Sequence, residues 1–138
     1  MQNETAKSIL VVDDEQVMRE FLADVLEDFS VEKAADGDEA IARLKEKKFD
    51  LIITDMKMPR VSGEEVVRFA KETYPDSRII VISGYSSLFS VSNTLGYGVC
   101  AFLSKPFTIK QIRTEVEKSL ELGSFKSPQG LGGLSDGI

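Results

Sequence analysis

Four short runs of this chain are almost wholly apolar, and each gives way to residues that carry chemistry. Ile9-Leu10-Val11-Val12 leads to Asp13-Asp14, Leu51-Ile52-Ile53-Thr54 to Asp55, Ile79-Ile80-Val81-Ile82 to Ser83, and Ala101-Phe102-Leu103-Ser104 to Lys105. Runs this short, separated by amphipathic segments, predict buried parallel strands. The first strand spans about Ser8 to Asp13. Val31 to Ala35 is more polar and predicts a fifth, edge strand. Between the runs, apolar residues recur at helical spacing. Val17, Met18, Phe21, Leu22, Val25, Leu26 and Phe29 make one stripe. Ala40, Ile41 and Leu44 make another, entered by the turn Asp36-Gly37-Asp38. That helix closes on Lys45 to Lys48, where positive charge suits the helix dipole. Ser62 with Glu65 forms a capping box ahead of Val66, Val67 and Ala70, and Tyr74-Pro75-Asp76-Ser77 ends that helix. Thr108 with Gln111 forms a second box ahead of Ile109, Ile112, Val116 and Leu120.

The segment Tyr85 to Gly98 keeps Leu88, Val91 and Leu95 on one face but is crowded with serine and glycine. It predicts a helix of low intrinsic propensity. From Gly123 onward glycine dominates, so residues 1–122 read as one domain and 123–138 as a Gly/Ser-rich tail or linker. Strand and helix alternate five times. That predicts an α/β, doubly wound, five-stranded parallel sheet with helices on both faces. In such sheets ligands bind beyond the carboxyl ends of the strands. Asp13, Asp14, Asp55, Ser83 and Lys105 therefore converge on one edge.

Composition narrows the chemistry. The chain has 138 residues, 42% hydrophobic and 29% charged, with a net charge of −6. That is an ordinary globular composition, and the acidic balance argues against direct nucleic-acid binding by this domain. Met1 to Lys7 has no signal-peptide pattern and no run is long enough to span a membrane, so the expected location is cytoplasmic with no membrane partner. Histidine is absent. Histidine acid/base catalysis and histidine metal sites are excluded, and a metal must be held by oxygen, which favours Mg²⁺, Mn²⁺ or Ca²⁺. The single cysteine, Cys100, cannot form an intrachain disulfide and is expected to pack as a small hydrophobe near the fifth strand.

Two adjacent carboxylates at the end of a buried strand, Asp13 and Asp14, need a cation to be tolerated. Glu15 beside them could belong to the same cluster or serve the first turn of the following helix, where negative charge is favoured, and the helix role is the preferred reading. Asp55 is a candidate nucleophile, since a carboxylate can form an acyl phosphate. A divalent ion bridging it to the acidic pair would neutralise charge on the transferring group, with the Lys57 carbonyl placed to be a further ligand. Lys105 offers a compact ammonium for a phosphate oxygen. A cis Lys105-Pro106 bond would aim it into the site, but the sequence leaves the isomer open. Ser83 offers a hydroxyl donor.

Taken in order, Val11-Val12-Asp13-Asp14-Glu15, Thr54-Asp55-Met56-Lys57-Met58-Pro59 with Gly63, Ile82-Ser83-Gly84, and Phe102-Leu103-Ser104-Lys105-Pro106-Phe107 resemble the receiver domain of two-component response regulators, over about Ser8 to Leu122. The resemblance, which extends to the chemotaxis regulators, implies a flavodoxin-like sheet in the order 2-1-3-4-5. It implies that Asp55 accepts a phosphoryl group from a sensor histidine kinase or phosphotransfer protein, within a phosphorelay. Asp13, Asp14, Asp55 and the Lys57 carbonyl would hold Mg²⁺, with Mn²⁺ able to serve. Ser83 and Lys105 would contact the phosphoryl group. Ser83 and Phe102 would be the switch pair, and Lys57 and Tyr85 would tune the phosphoryl lifetime. The face built from the Tyr85–Gly98 segment, the fifth strand and the last helix would then change its hold on an output domain, a partner protein or a second copy. On this reading the chain is a signalling switch with intrinsic autophosphotransfer and slow autodephosphorylation, not an enzyme. Serine stands at 83 where the family more often has threonine, which keeps the hydroxyl and drops a methyl group.

The alternatives fit less well. A dehalogenase-type phosphohydrolase wants Asp-x-Asp after the first strand, and a flavodoxin-like nucleotide binder wants a hydroxyl- and glycine-rich loop there. Asp13-Asp14-Glu15-Gln16 is neither. An unphosphorylated receiver-like interaction scaffold leaves the intact five-residue set unexplained.

Overall fold

A computed structural model describes residues 6–84 and 96–121. The described elements are β1 (Ser8–Val12), α1 (Gln16–Val25), β2 (Ser30–Ala34), α2 (Gly37–Glu46), β3 (Leu51–Asp55), α3 (Gly63–Thr73), β4 (Arg78–Ser83), β5 (Ala101–Ser104) and α4 (Ile109–Ser119). The five strands form one parallel sheet in the order β2-β1-β3-β4-β5. The expected helix over 85–98 falls mostly outside the described residues.

Alternate residues of the inner strands feed two separate cores. Leu10, Val12, Ile52, Ile79 and Val81 pack with Ala40 and Leu44 of α2 and with Val66, Val67 and Ala70 of α3. Ile9, Val11, Leu51, Ile53, Ile80 and Ile82 pack with Leu22 of α1, with Leu26, and with Ile112 and Val116 of α4. Both faces are covered, so neither parity of the strand can be polar, and the sequence shows unbroken apolar runs. Each such side chain contributes about 1.5–3 kcal/mol on burial. The two edge strands are less deeply covered. β2 is mostly half-exposed, and β5 is half-buried except for exposed Ser104.

The helix ends follow their local chemistry. Both predicted capping boxes form, Ser62 with Glu65 on α3 and Thr108 with Gln111 on α4. Asp36 caps α2 by accepting from the Glu39 amide at 2.8 Å, while the Glu39 carboxylate accepts from the Ala35 amide at 2.8 Å. Two expectations are corrected. The apolar stripes are only partly right: Met18, Phe21, Leu22, Val25, Leu26 and Phe29 pack on the core, but Val17 is 81% exposed and Ile109 of the last stripe 54% exposed. The helix α1 itself stops at Val25, where the chain turns with the Phe29 amide donating to the Leu26 carbonyl. Cys100 is exposed rather than packed. Its amide donates to the Ile79 carbonyl at 2.7 Å, but it stands just ahead of an edge strand, with Arg78, Glu115 and Lys118 around the same cavity.

Register places the functional residues. Val12 pairs with Thr54, so Asp13 and Asp55 sit level at the ends of neighbouring strands. Asp55 pairs with Ile82 and Ser83 with Ser104, so Ser83 and then Lys105 follow one step further along the same edge.

Candidate functional site

The strand ends open into a cavity of about 280 Å³ lined by Asp14, Glu15, Asp55, Lys57, Ser83, Gly84 and Lys105. Asp13 lies beneath it, 0% exposed. The Lys105 ammonium is the centre of the arrangement. Its Nζ lies 3.0 Å from Asp13 Oδ2, 3.2 Å from Asp55 Oδ2 and 3.5 Å from Glu15 Oε1. The Lys105-Pro106 bond is cis. Asp13 also accepts from the Glu15 amide at 2.8 Å through Oδ1, and its carbonyl accepts from Arg19 at 2.7 Å. Asp55, nearly fully buried, accepts from the Lys57 amide at 3.4 Å.

One ammonium shared by three carboxylates does not fully compensate any of them. Burial pushes the Asp13 carboxyl above the usual carboxylate range, and the bonds from the Glu15 amide and Lys105 do not bring it back. Burial pulls the Lys105 ammonium down, but Asp13 and Asp55 outweigh it and leave Lys105 above the ordinary lysine value. Lys105 is thus a fixed positive charge, and Asp13 carries an incompletely compensated negative one. A carboxyl whose folded-state pKa is raised favours the fold only at low pH, and that contribution is lost as pH rises through the raised value. At neutral pH Asp13 is therefore a cost. Asp13→Asn keeps the acceptor for the Glu15 amide, and we expect it to stabilise the metal-free protein by about 1 kcal/mol at pH 7. Urea unfolding should show a higher midpoint, with the gain shrinking as pH falls toward the carboxylate range. A loss of stability at pH 7 would contradict this account.

The same excess of negative charge suits a cation. Asp13, Asp14 and Asp55 each offer a carboxylate oxygen, all within 4.8 Å of one another. Three hard oxygen donors with no histidine or thiolate fit a small divalent ion such as Mg²⁺.

Of the residues expected at the site, Asp13, Asp14, Asp55, Lys57, Ser83 and Lys105 are brought together, and Ser83 is buried at the cavity wall. Tyr85 lies outside the described residues. Phe102 is half-buried and packs against the core on the α2–α3 side, while its neighbours Ala101 and Leu103 pack on the α1–α4 side. Two contacts are settled only in three dimensions. Glu15, expected to serve the α1 first turn, occupies the N-cap position, makes no capping bond and turns instead toward Lys105. Arg60 adopts φ 64° in the β3–α3 loop. It donates to Asp38 and Asp36 at 3.1 Å each and ties the loop that carries Lys57 to the start of α2. The sequence offers cluster membership for Glu15 only as the less favoured alternative and gives no signal for Arg60, because both contacts depend on how separate elements dock.

Comparison with known proteins gives a consistent picture. The sequence pattern of the response regulator receiver domain matches residues 9–117. The chain is 35% identical over 116 residues to the response regulator receiver protein CpdR of Brucella abortus, covering 83% of this chain and 97% of that one. Its fold is similar to a CheY-like receiver domain protein from Methanospirillum hungatei, with a TM-score of 0.82 and 28% identity over 85% of this chain and 95% of that one. It is also similar to a response regulator protein from Burkholderia pseudomallei solved with a phosphorylated aspartic acid, a calcium ion and citrate. There the TM-score is 0.74 and identity 29%, over 83% of this chain and 69% of that one.

Proposed function

The chain belongs to the response regulator receiver domain family, and from that premise we propose that it is a phosphorylation-controlled switch whose phosphoryl acceptor is Asp55. Receiver domains are signalling switches rather than conventional enzymes, and they work with histidine kinases and phosphotransfer proteins. The observation that carries the proposal is the shared ammonium. Lys105 spans Asp13 and Asp55 from the far side of the sheet edge, and Asp14 completes a three-carboxylate cluster around the same point.

In this reading an Asp55 carboxylate oxygen attacks the phosphorus of a phosphohistidine. The new P–O bond forms as the P–N bond breaks, and the electron pair returns to the imidazole nitrogen, which takes up a proton. Developing charge sits on the three equatorial phosphoryl oxygens, so catalysis is chiefly positioning and charge neutralisation. Lys105 is in place to pair with one of those oxygens, since its ammonium already lies 3.2 Å from Asp55. The Ser83 hydroxyl is the donor for another. Asp13, Asp14, Asp55 and the Lys57 carbonyl would hold Mg²⁺, which when bound neutralises phosphoryl charge.

Phosphorylation adds charge and strong acceptors at this edge. A bond between Ser83 and the phosphoryl group exists in one state only, and such a differential contact shifts a two-state equilibrium. Phe102, on the neighbouring edge strand, is the side chain through which that shift would reach an output domain, a partner or a second copy. Lys57, at the cavity wall, and Tyr85 would govern the lifetime of the acyl phosphate.

The test is direct loading. Incubation with acetyl phosphate and Mg²⁺ should add the mass of one phosphoryl group, in a bond cleaved by hydroxylamine, and peptide mapping should place it on Asp55. No incorporation, or incorporation at another residue, would overturn the assignment.

A further inference from the structure

We infer that Glu15 is a charge gate on the phosphoryl-accepting site, one that holds back small anionic donors by competing for Lys105. The inference rests on the reading of Asp55 as acceptor and adds a residue that selects what reaches it.

The backbone at Glu15 is extended, with φ −95° and ψ 118°, as an N-cap should be. Ser, Thr, Asp or Asn there would accept a backbone amide of the first turn and stabilise the helix. Glu15 makes no such bond. Its carboxylate stands instead at the cavity wall, 67% exposed, with Oε1 3.5 Å from Lys105 Nζ. Lys105 does not need it, since Asp13 and Asp55 are both nearer. The helix thus forgoes a cap, and the site gains a fourth carboxylate beside the half-buried ammonium of Lys105. Among the described residues, Asp14, Asp55, Lys57 and Lys105 line the cavity with Glu15 and Asp13 lies beneath it paired to Lys105, so carboxylates outnumber ammonium groups even before Glu15 is counted. Removing one negative charge from the mouth lessens that excess and eases the entry of an anion.

A dianionic acyl phosphate must take Lys105 from Glu15 and enter against its charge. A donor group carried on a surface that sets a cation against Glu15 meets no such barrier. The gate therefore separates free metabolite-like donors from protein-borne ones. In the reaction itself, the Asp55 oxygen forms a bond to phosphorus and the acyl oxygen leaves with its electron pair as a carboxylate.

The experiment compares initial loading rates of the full chain and Glu15→Gln at saturating Mg²⁺, with acetyl phosphate and with the less charged phosphoramidate. A unit charge a few ångströms from the incoming anion in water-rich surroundings predicts a gain of roughly fivefold for acetyl phosphate at low ionic strength. For phosphoramidate the gain should be roughly twofold, and both gains should shrink with added salt. Because the Glu15 side chain makes no cap, thermal unfolding of Glu15→Gln should match wild type, which separates the gate from a structural role. Equal rates for the two proteins at low salt, or equal gains for both donors with no salt dependence, would overturn the gate while leaving Asp55 as acceptor. If wild type loads from neither donor, the site reading itself falls and the gate falls with it.

Discussion

Asp55→Asn is expected to yield a folded protein that takes up no phosphoryl group. The substitution is nearly isosteric and keeps an oxygen for Lys105 Nζ, which lies 3.2 Å from Asp55 Oδ2 in the native site. What it removes is the nucleophile, because an amide does not attack phosphorus as a carboxylate does. Removing a nucleophile that acts in concert with its neighbours costs on the order of 10³-fold or more in rate. Loading with acetyl phosphate should fall to the limit of detection by intact mass. Mg²⁺ affinity should fall by about tenfold or more, since one of the three clustered carboxylates is lost. Stability should not fall, because the site then has one fewer carboxylate competing for a single ammonium. Loading of Asp55→Asn at the wild-type rate would transfer the acceptor role to Asp13 or Asp14, the neighbouring carboxylates within reach.

The legible part of this molecule is the part that local chemistry decides. Unbroken apolar runs announce strands covered on both faces, and β1, β3 and β4 are buried that way. The two capping boxes are local exchanges between a side chain and a backbone three residues away, and both form. Asp55 stands out as a candidate because it closes a buried strand while Ser62 already supplies the cap of the next helix. What could not be read depends on distant parts meeting. Glu15 turns to Lys105 only because β5 and its following turn end beside α1. Arg60 finds Asp36 and Asp38 only because α2 and the β3–α3 loop start from β2 and β3, the two strands that flank β1. Cys100 reads as apolar by composition, yet its exposure is set by the sheet running out at β5. The Lys105-Pro106 isomer has no local signature either.

Gly63 shows how far packing can outweigh local preference, and Gly63→Ala is expected to destabilise the fold by about 3 kcal/mol or more. Local rules point the other way. Gly63 opens α3, where alanine is the better helix former, and alanine also lowers the entropy of the unfolded chain by up to about 1 kcal/mol. The geometry reverses that sign. A Cβ at Gly63 would lie 1.9 Å from the Asp55 carbonyl oxygen and 2.7 Å from the Met56 Cα. These are backbone atoms of β3 and its exit, so no side chain can swing aside to make room. The Gly63 amide donates to the Met56 carbonyl at 3.0 Å, which holds the start of α3 against the strand end. Relief must come from pulling α3 away or displacing Asp55 itself, so the molecules that still fold should load phosphoryl more slowly. Gly84→Ala provides the contrast. Its nearest neighbour is the Lys105 Cδ at 4.0 Å, an ordinary contact with a flexible side chain. Urea unfolding should therefore show a change within about 0.5 kcal/mol for Gly84→Ala and a much lower midpoint for Gly63→Ala. Equal midpoints for the two would mean that the approach of α3 to β3 is not what fixes the Asp55 backbone.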